Sequence, residues 1–468
     1  MKEILKIYIL LILIIFMNRF SLFLVAILLL SSTGFAQQRS AEEAAALAAQ
    51  FVNGEPALRR VHRAPQTAAE MRLVHTRQKA SREENAFYIF NRADNAGFII
   101  VSADERTADE VIAYSEEGQF DMQTVNPNLR WWLERMEAEI SSIPEETEVN
   151  PAPQIDPAEP ITPIAPLLKN ANGQAINWYQ ETPYNNLCPM DQRDNTRCLT
   201  GCVATAASMV MYKWQWPKKG TGQSSYTWKD CKDDYCSRYW TQDLSANYGE
   251  TTYDWEHMLP TYEGKEYSET QANAVATIMY HAGVASEMQY GGQKTGGSGT
   301  LTDKMAYGLI TYFGYKIDKF ISMYSSWTYG GAHSGVNAEW NVTTDQITEY
   351  FNADLEAGRP IIMGGEDSSS GGHEFVCDGR DKNGRFHINW GWEGDGNCYT
   401  ALTTMRPTMT TYNFNGGLDA IIGLEPNTPE AVEQTTVMPE AEKVLRDGQI
   451  LIQRGEKTYT VTGQALKN

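Results

Sequence analysis

Apolar and polar positions follow different rules in different parts of this 468-residue chain. Residues 40–53 are rich in alanine. Ser40 and Glu43 have capping-box spacing and Gly54 can end the run, so a helix is predicted. Phe87–Phe90 and Phe98–Val101 are short apolar runs separated by polar and Gly-containing residues, which predicts a hairpin. Asn126-Pro127 then opens a second helix, with Leu129, Trp132, Leu133, Met136 and Ile140 on one stripe. Together these elements predict a small α+β domain over residues 37–143. Residues 144–166 hold seven prolines and little periodicity, the pattern of an extended, protease-accessible linker. The span 167–425 reads as the main domain, a mixed helix-and-sheet core. After a second linker at 426–442, residues 443–468 alternate as short strands with Asp447-Gly448, Gly455 and Gly463 as turns. There are no internal repeats.

The N-terminus is apolar but interrupted. Ile and Leu dominate residues 4–16, Asn18 and Arg19 intervene, and Phe20–Leu30 is apolar again. Neither run reaches the ~20 residues of a membrane span. Met17-Asn18-Arg19, Leu22–Leu30 and Gly34-Phe35-Ala36 form a basic start, an apolar stretch and a small-x-small cleavage site. Residues 1–36 are therefore expected to be a cleaved signal peptide, with Met17 a candidate true start and a retained anchor as the alternative. The expected location is outside the cell, secreted or on its surface, with no membrane association beyond export.

Charge narrows the partners. Lys plus Arg total 39 against 59 Asp plus Glu, a net −20. Such a surface repels phosphate backbones, so nucleic acid is not an expected partner. Export also implies an oxidising compartment. The seven cysteines are an odd number, so at least one thiol lacks a partner within the chain. Local pairing as Cys231/Cys236, Cys188/Cys198 and Cys377/Cys398 would leave Cys202, although sequence does not fix the connectivity. No Cys-x-x-Cys occurs and the histidines are scattered, so no metal is expected.

The strongest local signal is Thr200–Ala207. Val203, Ala206, Ala207, Val210 and Trp214 recur at helical spacing, and Thr200 can cap the helix. Cys202 then lies in the first turn, where unpaired N–H groups and the helix dipole stabilise a thiolate. The alternative is a buried structural cysteine. A nucleophilic thiolate needs a base or ion-pair partner, usually histidine. His373 follows Gly371-Gly372 and precedes the strand-like Phe375-Val376-Cys377. His387 lies on another strand-like run, Phe386–Trp390. Asn389 and Trp390 could orient and shield an imidazole. His62, His75, His257, His281 and His333 have no distinguishing context.

These residues resemble the streptopain family of secreted bacterial papain-like cysteine peptidases. The motifs are Trp178-Tyr179-Gln180 with Pro183-Tyr184-Asn185; Thr200–Ala206; Tyr253-Asp254-Trp255; Met279–Val284; Gly371-Gly372-His373; and Asn389-Trp390-Gly391-Trp392. The resemblance implies an α+β papain-like peptidase domain, preceded by a small α+β inhibitory prodomain and followed by a short β tail. It implies Cys202 as nucleophile and His373 as its partner. Gln180 would supply an oxyanion donor beside the Cys202 N–H. Trp390 would pack near His373, with Asn389 as an orienting residue, and Ser298 and Gly372 would line the substrate cleft. Polypeptides would be the substrates, the chain's own prodomain an intramolecular inhibitor, and no cofactor would be needed. Residues 443–467 resemble the C-terminal segments of proteins exported by the type IX system of Bacteroidetes.

Three positions depart from the family pattern. Glu374 stands where a small residue is usual after the histidine. Glu393 and Cys398 stand at usual glycine positions, the latter supporting a Cys377–Cys398 bridge. If the Glu374 carboxylate faces the site, it alters the cleft; if it faces away, it is harmless. The expected activity is that of a secreted cysteine endopeptidase made as a zymogen. The alternative is a catalytically weak binding protein that keeps the fold.

Overall fold

The computed structural model describes residues 38–55, 58, 65–81, 83–144, 147, 161–232, 235, 237–367, 371–403 and 417–428, with the backbone of four C-terminal strands. The signal-like segment lies outside the described residues, as does most of 144–160. Among the described residues, no helix is long and apolar enough to cross a membrane.

The N-terminal domain begins with helix α1 (Ala41–Gly54), closed by the Ser40/Glu43 capping box. Strands β1 (Arg72–Gln78), β2 (Asn85–Asn91), β3 (Phe98–Ser102) and β4 (Val111–Tyr114) follow as an antiparallel meander. Helix α2 (Pro127–Ser141) starts with Pro at its first turn and Asn126 as N-cap, whose side chain accepts the Leu129 N–H. That is the proline-plus-asparagine start its sequence predicts.

The main domain has a helical half and a sheet half. Helices α3 (Cys202–Trp214), α4 (Glu269–Ala285) and α5 (Thr302–Phe313) pack on one another, with hairpin β5–β6 (Ser224–Cys231 and Tyr239–Ala246) beside them. Short strands β7 (Tyr315–Lys316), β8 (Lys319–Ser322) and β9 (Ala338–Trp340), the one-turn α6 (Ser326–Tyr329) and helix α7 (Thr344–Glu356) follow. The sheet half is β10 (Ile361–Asp367), β11 (Gly371–Arg380), β12 (Phe386–Asn389), β13 (Cys398–Thr400) and β14 (Leu418–Ile422). The short β15 (Glu425–Pro426) pairs with β7. Four strands, β16 (Glu442–Arg446), β17 (Gln449–Arg454), β18 (Lys457–Thr460) and β19 (Ala465–Leu466), form a separate antiparallel sheet in the tail.

One sheet of 11 strands runs through both domains, in the order β1-β2-β3-β4-β13-β12-β11-β10-β14-β8-β9. The domains join where Tyr399 pairs with Tyr114 and Thr400 with Ala113. Side-chain alternation gives β11 two different faces. Val376 belongs to the core around α3 and α4, whereas Phe375 and Cys377 belong to the core that contains Trp131 and Trp132 of α2. Helix α3 is buried from Val203 to Tyr212 on every side, not along one stripe as its spacing suggested.

Two expected disulfides are absent. Cys188, Cys198, Cys377 and Cys398 are free thiols, as is Cys202. Cys377 pairs in register with Ile388, and Ile388 with Cys398, so two strand spacings separate the two cysteines. That is roughly 9.5 Å, beyond the ~7 Å Cα limit for a bridge. The Cys188 thiol bonds Tyr290 and the Cys198 thiol bonds Gln242, so each is turned to a different partner. Cys231 is disulfide-bonded, its partner lying outside the described residues.

Candidate active site

The turn before α3 is built for close approach. Gly201, not Thr200, is the N-cap, at φ 86°. A Cβ there would meet the Met288 side chain at 2.6 Å and the Ser298 carbonyl at 3.1 Å. Only glycine meets both the torsion and the space. Thr205 Oγ1 donates to the Gly201 carbonyl at 3.0 Å and lies 2.9 Å from Thr200 Oγ1, which ties down the turn. Cys202 is therefore the first residue of the helix.

Backbone N–H groups of Glu374, Val203 and Cys202 face its sulfur and favour the thiolate. Burial opposes them more strongly, and the Glu374 carboxylate adds to it. The Cys202 thiol is pushed up to about 12. In this state it is a thiol at neutral pH, and a thiol is a poor nucleophile.

Cys202, Gly372 and His373 line one cavity of about 370 Å³, together with Val203, Thr302, Glu374 and Asp419. His373 sits near the start of β11, opposite Gly365 of β10. Its Nδ1 lies 2.9 Å from Asn128 Oδ1, an amide carried by α2 of the N-terminal domain. Asn128 Nδ2 donates to the carbonyls of Glu374 at 3.0 Å and Trp390 at 2.8 Å. Trp131, also from α2, packs its ring 5.8 Å from the His373 ring and 6.1 Å from Phe375. An amide and an indole from outside the main domain thus hold the imidazole.

The remaining candidates occupy surrounding positions. Gln180 is buried, and its carbonyl accepts the Thr200 N–H at 3.1 Å, which sets it beside the turn leading to Cys202. Ser298 Oγ donates to the Leu199 carbonyl at 2.7 Å and accepts the Gly291 N–H, supporting the same turn. Asn389 donates to the Ile176 carbonyl at 2.9 Å and accepts the Gly391 N–H at 3.0 Å. Trp390 is fully buried, donates to the Gly396 carbonyl, and packs on Phe375 at 4.8 Å and Trp132 at 6.0 Å. His387 is held by Asp378 Oδ1 at 2.6 Å and lies against Tyr399, so the structure separates it from His373.

Glu374 faces into the cavity region and is 3% exposed. Burial pushes its carboxyl well above the usual range, and neighbouring Asp419 pushes the same way. Glu393 has φ 55°, the left-handed torsion that favours the glycine usual there. Sequence reading missed Asn128 and Trp131. Trp131 left a trace, because adjacent tryptophans on a helix cannot share one stripe. Asn128 left none.

A helix-borne thiol and a strand-borne imidazole opening on one cleft are the arrangement of a papain-like cysteine peptidase. Residues 178–399 match the Peptidase C10 family, and residues 36–140 match the Spi protease inhibitor. The structure is similar to a prointerpain A fragment from Prevotella intermedia, 32% identical, with TM-score 0.59, covering 77% of this chain and 100% of that one. Streptopain from Streptococcus pyogenes is 27% identical over 413 residues, 85% of this chain and 95% of streptopain. The thiol protease/hemagglutinin PrtT of Porphyromonas gingivalis is 32% identical over 379 residues, 78% of this chain; the chain spans 40% of PrtT's length. The chain belongs to the Peptidase C10 family of cysteine proteases, with an inhibitor domain ahead of the peptidase.

Proposed function

We propose that the protein is an exported cysteine endopeptidase made as a zymogen, with Cys202 as nucleophile and His373 as its acid–base partner. The observation that carries this is the shared cavity of the two residues, with an inhibitor-domain amide on the imidazole nitrogen. In the active state the Cys202 thiolate attacks the scissile carbonyl. The Cys202 N–H and the Gln180 amide stabilise the oxyanion, and losing one such donor typically costs about 2.7–4 kcal/mol. The C–N bond breaks as the His373 imidazolium protonates the leaving amine, and water hydrolyses the thioester. Asn389 and Trp390 support the strand end near His373, while Ser298 and Gly372 shape the cleft.

Latency follows from α2. Asn128 and Trp131 engage the imidazole, while the sulfur is held as a buried thiol. Cutting the 144–166 linker and releasing the inhibitor domain frees His373 and rehydrates the sulfur. Residues 1–36 direct export, and the tail is a candidate sorting segment.

The test is labelling by an irreversible epoxide thiol-protease inhibitor after verified linker cleavage. Cys202 should be modified, with peptide hydrolysis lost in proportion. An unlabelled, inactive, fully cleaved protein whose hydrolysis equals that of Cys202→Ala would instead support a binding role for the fold.

A further inference from the structure

A second, smaller cavity lies beside the cleft. It measures about 120 Å³, and four rings line it: Tyr226, Tyr307, Tyr312 and His333. The helices beneath it are packed closely. At Gly308 a Cβ would lie 2.8 Å from the Ala285 carbonyl, so glycine is what lets α5 close on the end of α4. That closure sets Tyr307, one position earlier, against the cavity. The rings then hold one another. Tyr307 and His333 have ring centres 4.0 Å apart, Tyr307 meets Tyr312 edge-on at 6.2 Å, and Tyr312 stacks on the buried Tyr248 at 4.5 Å. The Tyr226 hydroxyl donates to the Met288 carbonyl at 2.7 Å, and the His333 backbone N–H is held by Asp303 at 2.6 Å. The walls are thus formed before anything binds.

Two residues are common to this cavity and to the 370 Å³ one that contains Cys202. Glu287 and Lys304 line both, and their side chains pair at 2.8 Å, so this pair is the partition between the two spaces. The carboxylate is 53% exposed and the ammonium 31%. An ion pair so open to water contributes little, and a polypeptide can cross it at small cost. A spherical space of 370 Å³ is roughly 9 Å across, two to three residues of extended chain at ~3.4 Å each. A substrate with its scissile carbonyl at Cys202 therefore reaches the second cavity with its third or fourth residue.

Size and chemistry narrow the occupant. An apolar cavity of about 150 Å³ accepts one benzene ring, so this space takes a single six-membered ring and little more. Ring faces and edges on the wall favour another ring, because aromatic pairs gain from offset-stacked and edge-on contacts beyond the area they bury. We propose that this cavity is a substrate subsite for the ring of a phenylalanine or tyrosine three or four residues from the scissile bond. This rests on the assignment of Cys202 as nucleophile, since the distance is counted from that sulfur.

The test uses the full chain, activated by linker cleavage and active-site titrated with the epoxide inhibitor. Peptides with one fixed cut carry phenylalanine, tyrosine, leucine or alanine at the third and fourth positions on either side of it. At one of these positions, kcat/KM for phenylalanine and for tyrosine should exceed that for alanine by at least about tenfold. Each should exceed that for leucine roughly two- to tenfold, the scale of a ring–ring contact. Tyr307→Ala and His333→Ala should each lower the phenylalanine-to-leucine ratio there toward one, and Tyr307→Phe should keep it. His333 is half-buried on the loop after α6, so its truncation spares the core and keeps the test decisive if Tyr307→Ala does not fold. A titratable wild-type enzyme with a phenylalanine-to-leucine ratio near one at all of these positions overturns this inference alone. A ratio unchanged in alanine variants that titrate fully overturns it too. A fully cleaved protein that does not titrate removes the nucleophile assignment, and this inference with it.

Discussion

The two faces of β11 use opposite means to hold adjacent residues. On one face His373 and Phe375 meet α2, a surface of Trp131, Trp132 and buried aliphatics with one amide, Asn128, aimed at the imidazole. On the other, Glu374 meets α5 through a hydroxyl and a second carboxyl. The first contact is large, apolar and intramolecular, suited to a partner that stays until it is cut away. The second is small and polar, two buried carboxyls bridged by one hydroxyl. Successive residues on one strand thus meet chemically different surfaces, because side-chain alternation points them apart.

Four variants would break or sharpen this contrast. Cys202→Ala should bring hydrolysis to background while leaving the inhibitor face intact; a linker-cleaved sample checks this by peptide turnover. Trp131→Ala removes a buried indole, a change that typically costs about 3–5 kcal/mol. After linker cleavage its inhibitor domain should dissociate at least about a hundredfold more readily, read by size exclusion and recovered activity. Asn128→Ala leaves the Glu374 and Trp390 carbonyls and one imidazole nitrogen without their partner. At about 1–3 kcal/mol for unsatisfied buried groups, the retained inhibition should fall roughly 5- to 150-fold. Glu374→Gln should have the smallest effect on the uncut chain. Once its raised carboxyl is ionised, at alkaline pH, Glu374 carries a charge that opposes the thiolate; glutamine carries none, so the Cys202 thiol should titrate below its present value of about 12. Alkylation by iodoacetamide at pH 9 should then quicken roughly two- to fivefold, and an unchanged rate would show that burial alone sets the thiol.

Sequence reading was most successful where local chemistry decides the outcome. The Ser40/Glu43 box, the Asn126-Pro127 start and the helix beginning at Cys202 depend on neighbours a few residues away. The hairpin of Phe87–Phe90 and Phe98–Val101 was legible too, and forms the antiparallel pair β2–β3. Partners distant in sequence were not. Asn128 reaches a histidine 245 positions away, and Thr302 joins two carboxyls from separate strands. The Cys377–Cys398 pairing failed for a related reason. Spacing along the chain hid the strand that lies between them.

The shared sheet has a consequence for the released enzyme. While the domains are joined, β13 gives its outer backbone groups to β4 through Tyr399 and Thr400. Departure of the N-terminal domain turns that interior seam into a bare border with free amide and carbonyl groups. Such borders invite strand addition by other chains. Maturation therefore creates a sticky margin as well as opening a cleft, and the brevity of β13, three residues, limits how much can adhere there.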